Sequence, residues 1–153
     1  MKIKTLILLS LIFVFGCKCN KTSTDMASKS VETVLIAKGN LYGSGAEGIE
    51  KQNLVITNEK DWNALINQMD TINKVSQSFT ETKIDFSKYT VIAVFLNVKG
   101  SGGHSIDLDV STTSEQKIVT VKHKGPKGNA TSVMTQPYYI AKLVKSNLPI
   151  MFQ

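Results

Sequence analysis

The chain has 153 residues, enough for one domain with a sizeable apolar core. Its 18 basic side chains are all lysines, set against 12 carboxylates, for a formal charge of +6. Sequence-specific phosphate and base recognition leans on the planar arginine fork, so this composition argues against a nucleic-acid partner and fits solubility or loose attraction to an acidic membrane face.

In chain order, Lys2 and Lys4 precede an apolar run from Leu6 to Phe15 that only Ser10 interrupts, and Gly16-Cys17 closes it. This is the layout of a secretory signal. The run falls short of the roughly 20 apolar residues that a spanning helix needs. Val14-Phe15-Gly16-Cys17 resembles the lipobox of bacterial lipoproteins, with Phe15 bulkier than the small residue usual there. The resemblance implies removal of residues 1–16, lipid on Cys17, attachment to the membrane through that lipid, and a cell-envelope location. No acidic run follows Cys17, which points to the periplasmic face of the outer membrane. Cys19 is left without an internal disulfide partner. Residues 17–30 are polar and aperiodic and read as a flexible tether, leaving a single α+β domain over 31–153.

Val31 to Ala37 is the first strand candidate. Four glycines follow (Gly39, Gly43, Gly45 and Gly48), which predict a loop or an irregular hairpin before a short strand at Asn53 to Thr57. The next segment is the clearest helix. Trp62, Leu65, Ile66 and Met69 form one apolar stripe at i, i+3, i+4 and i+7. Thr57 or Asn58 can cap its start, and Glu59 and Asp61 suit the positive end of its dipole. Asp70-Thr71-Ile72 resembles the short O-glycosylation acceptor of Bacteroidetes envelope proteins.

Strands dominate from Asp85 onward. Tyr89 to Val98 is apolar at both parities, the mark of a central strand covered on both faces. His104 to Val110 alternates strictly and pairs with Lys117 to His123 through the turn Ser111 to Gln116. Gln136 to Lys145 is another strand, with Pro137 at its start where a missing N–H is tolerated. Leu148 to Phe152 makes a last short strand. Together these give an α+β fold: a largely antiparallel β-sheet with one amphipathic helix packed on it.

No catalytic constellation emerges. No nucleophile elbow or phosphate loop is present. His104 and Asp107 point to opposite faces of a strand. His104 and His123 both fall at the end of the hairpin far from its turn, which brings them near one another, but no cysteine or identifiable carboxylate joins them, so no metal or cofactor is assigned. Asp107 and Asp109 share a polar face opposite Thr120 and Lys122 and read as solvated charges. Asn129-Ala130-Thr131 matches the N-glycosylation acceptor, a pattern common by chance.

The stretch Asp85-Phe86, the apolar strand after it, Gly102-Gly103, Ile106, Pro126 and Gln136-Pro137-Tyr138 together resemble the C-terminal domain of the PrcB family over about Ile84 to Met151. Its members are exported proteins named for an accessory subunit of a bacterial surface protease complex. The family usually carries an aromatic, most often Tyr, where this chain has His104. The resemblance implies a non-enzymatic binding module for an envelope or secreted protease. Ser101, Gly102, Gly103, His104, Pro126, Gln136, Pro137 and Tyr138 are then the candidate partner-binding residues. Two other roles stay open: a protease inhibitor that uses the glycine-rich loops, and a metal- or small-molecule-binding protein.

Overall fold

The computed structural model describes residues 28–153. The signal peptide, Cys17 and Cys19 lie outside the described residues. Among the described residues eight strands run in chain order: β1 Lys29–Ser30, β2 Val34–Tyr42, β3 Gln52–Ile56, β4 Tyr89–Phe95, β5 Ser105–Thr112, β6 Lys117–Lys124, β7 Thr135–Val144 and β8 Ile150–Phe152. One α-helix, α1 Glu59–Met69, and a 3-10 turn at Val75–Ser78 lie between β3 and β4. The sheet-dominated α+β class is as the sequence indicates. The strands divide into two four-stranded sheets, ordered β2-β7-β4-β3 and β1-β5-β6-β8. All pairings are antiparallel except β6 with β8.

The two apolar parities of β4 explain the layering. Val91, Ala93 and Phe95 join Trp62, Leu65 and Met69 in one core between the first sheet and α1. Ile92 packs with Val110 and Val119, and Val94 with Ile106, between the two sheets. Each fully buried large side chain there contributes about 1.5–3 kcal/mol. Asn58 starts the helix, its side chain accepting the Asp61 N–H at 2.9 Å. The Trp62 indole N–H donates to the Thr82 carbonyl at 2.7 Å, so the buried ring leaves no orphan donor.

Several boundaries differ from the sequence reading. Strand β4 ends at Phe95 rather than Val98, β5 starts at Ser105 so that His104 lies in the loop, and β8 starts at Ile150. Strand β2 continues through Gly39 to Tyr42, because Gly39 sits against the Tyr138 ring and pairs in register with it. The tether read as ending at Ser30 is already strand at Lys29–Ser30, paired with Thr112 and Ser111.

Candidate functional site

Both sheets end in loops at the same rim. The β4–β5 loop carries the glycine run, and the β6–β7 loop carries Pro126. Lys99 and Thr135 exchange two backbone hydrogen bonds, at 2.7 and 2.9 Å. The Gly102 N–H donates to the Thr131 carbonyl at 3.1 Å, and the Thr135 hydroxyl donates to the Ser101 carbonyl at 2.8 Å. Gly103 has φ +80°, and a Cβ there would stand 2.9 Å from the Pro126 Cβ. The position therefore needs glycine on two counts. Gly43, just after β2, closes on the same loop so tightly that a Cβ would sit 1.8 Å from the Met134 carbonyl oxygen. Three chain segments far apart in sequence are thus pinned together.

The pinned loops bound two hollows. One, of about 470 Å³, is lined by Gly102, Gly103, Ser105, Lys124, Pro126 and Thr131 among others. The other, of about 450 Å³, is lined by residues that include Tyr42, Gly43, Asn73, Val133 and Met134. Tyr42, Val133 and Met134 are 52%, 50% and 54% exposed, an apolar cluster formed by the end of β2 and the otherwise polar β6–β7 loop. Their signal in the sequence is faint: a Val-Met pair inside a stretch of Gly, Asn, Thr and Ser, and an aromatic beside a glycine.

A hydrogen-bonded chain crosses the rim. Ser101 Oγ lies 3.1 Å from His104 Nε2, and His104 Nδ1 lies 3.0 Å from His123 Nε2. The two imidazoles are near-parallel, at 16°, with centroids 5.2 Å apart, and they meet nitrogen to nitrogen. The proximity of these histidines follows from the β5–β6 register, in which Ile106 faces His123. Partial desolvation of the otherwise exposed ring, then the Lys99 ammonium and then His104, hold the His123 pKa below its ordinary value. A serine on one imidazole nitrogen and a hydrogen-bond partner on the other has the connectivity of an activated nucleophile. Its third member is here an imidazole rather than a carboxylate, and the neighbouring Gly102 N–H is committed to Thr131 rather than held for an oxyanion.

The strand-borne candidates have a different role. Gln136 and Tyr138 are 1% and 4% exposed, and Pro137 is also buried, so none presents its side chain to a partner. Pro137 sits inside β7, a strand paired on both sides, not at a tolerant strand start. The Leu96 N–H donates to the Pro137 carbonyl at 3.0 Å, but proline has no N–H to return. Gln136 Nε2 supplies the missing donor, reaching the Leu96 carbonyl at 3.2 Å and the Ile49 carbonyl at 2.6 Å. The Gln-Pro pair is therefore a repair of the sheet ladder. Tyr138 packs inward between Phe79 and Phe95, and burial raises its phenol pKa. Asp107 and Asp109 pair with Lys124 and Lys122 across the hairpin, as solvated charges do.

A two-sheet α+β domain with its loops gathered at one rim is the class that these features define. Within it, residues 90–143, which run from β4 into β7, match the family model described as PrcB C-terminal. The match covers about a third of the chain and bears out the resemblance read from the sequence at the level of that domain. No curated protein and no solved structure matches the chain.

Proposed function

We propose that the protein is a lipid-anchored envelope module that binds and stabilises a secreted or surface protease, or another envelope protein, and performs no chemistry of its own. The observation that carries this reading is the exposed apolar cluster of Tyr42, at the end of β2, with Val133 and Met134 on a loop locked to it by close backbone contact. A rigid rim with exposed apolar side chains loses little entropy on docking. The PrcB C-terminal match supports the accessory role, because the family is named for such a subunit. Ser101 and His104 supply polar contacts beside the cluster, and Pro126 shapes the adjoining loop.

The test is a crosslinked affinity capture from native envelopes, comparing wild type with a Tyr42→Ser/Met134→Asp variant. The expected result is a protease captured by the wild type, lost by the folded variant, and shorter-lived in cells that lack the protein. Capture unaffected by the variant, or a captured protease whose lifetime does not depend on this protein, would overturn the reading. Stoichiometric loss of the protease's activity would instead assign an inhibitor.

A further inference from the structure

The histidine pair presents metal-ligand chemistry beyond the polar contact that His104 offers a docked partner. His104 Nδ1 and His123 Nε2 converge to 3.0 Å. In the neutral pair one of these nitrogens offers a lone pair and the other holds the proton between them, and a metal ion competes for the same position. His104 is oriented from behind, since its Nε2 faces Ser101 Oγ at 3.1 Å. A histidine ligand characteristically has its other ring nitrogen held in this way.

We propose that His104 and His123 form a two-imidazole site for a divalent transition metal of tetragonal preference, Cu(II) first and Ni(II) after it. Metal–imidazole bonds of about 2.0–2.1 Å to nitrogens 3.0 Å apart enclose an angle close to a right angle. That is the angle between neighbouring ligands in a square or tetragonal arrangement, whereas tetrahedral zinc needs the nitrogens further apart. Affinity among divalent first-row metals also peaks at copper. His123 is exposed at the end of β6 and free to tilt, so that both lone pairs turn from each other toward the ion. The displaced proton leaves to solvent. No cluster of three or more His, Cys, Asp or Glu exists among the described residues, so water fills the remaining positions. Binding is accordingly weaker than at a closed structural site. Lys99, whose charge acts on His123, opposes the ion.

The experiment titrates Cu(II) into the full chain near pH 7.5 with Cys17 and Cys19 alkylated, and follows affinity and the electron paramagnetic resonance of the bound ion. One ion per chain with two imidazole nitrogens in its hyperfine pattern is expected. His104→Tyr and His123→Asn should each reduce affinity by more than tenfold, and Ser101→Ala by about tenfold. Lys99→Gln should tighten binding. The site is overturned if the double His104→Tyr/His123→Asn variant binds as well as wild type, or if the spectrum reports a single imidazole. The His104→Tyr change installs the residue more usual in the family, so that variant also keeps the comparison sound should His123→Asn disturb the hairpin. Copper binding is read on the free protein and docking on the Tyr42→Ser/Met134→Asp variant, so the failure of one is distinguishable from the failure of the other.

Discussion

At His123, folding stability is tied to pH. Its folded-state pKa is lowered, so between that value and the unfolded value near 6.5 the unfolded chain binds more protons. Stability from this residue is therefore full above about pH 6.5 and declines as the pH falls below it. Melting temperature measured from pH 7.5 to pH 5 should fall less steeply in His123→Asn than in wild type; equal slopes would refute the assignment. Gly103→Val combines a positive φ with a clash against Pro126 and should cost about 1–3 kcal/mol in urea unfolding. Gln136→Ala strands the Leu96 and Ile49 carbonyls and should cost about 1–3 kcal/mol. Adding Pro137→Ala to Gln136→Ala should recover part of that loss by returning an N–H to Leu96. The meeting of the two histidines was legible from alternation alone, because a hairpin with a defined turn fixes which residues end opposite one another. The burial of Gln136-Pro137-Tyr138 was not, because a proline beside a glutamine reads as a surface motif until the second flanking strand is known.

At the scale of elements, the helix and the β5–β6 hairpin were readable in outline. Their periods of 3.6 and 2 are local properties, and both sit where those periods indicate. Asn58→Ala removes the helix cap and should lower stability by about 1 kcal/mol, read as an earlier urea midpoint with an unchanged slope. Strand β2 was harder to read. Its glycine at position 39 suggests a break, yet the facing Tyr138 ring covers the space that a side chain would fill. Strand β8 was read as a strand, but its parallel pairing was hidden. It is only three residues long and lies beside Lys117 to Val119 through contacts that no local pattern records. Lys117 itself is buried there, its ammonium held by the Val144 carbonyl at 2.7 Å.

For the whole molecule, composition and the two-faced β4 established a layered domain. Whether the remaining strands extend one sheet or build a second depends on long-range pairing, which alternation in β5 and β6 does not specify. The gathering of residues 43, 102–103 and 126–134 at one rim is of the same kind. Surface changes at that rim should separate folding from association. Tyr42→Ser/Met134→Asp removes exposed apolar area and should leave stability within about 0.5 kcal/mol of wild type by urea unfolding. A large loss of stability would show that these side chains serve the core instead.

The glutamine that stands in for a proline's absent N–H also acts as an alignment key. Slide β7 along β4 and Gln136 travels with Pro137, but its amide leaves the Ile49 carbonyl behind without a donor. A flat apolar strand such as β4, with Val, Ile and Ala at successive positions, would otherwise accept displaced neighbours with little penalty. The dipeptide thus favours the native alignment, in which one amide meets both the Leu96 and the Ile49 carbonyls. Chains that lack it should misassemble during folding more readily than their equilibrium stability alone would suggest.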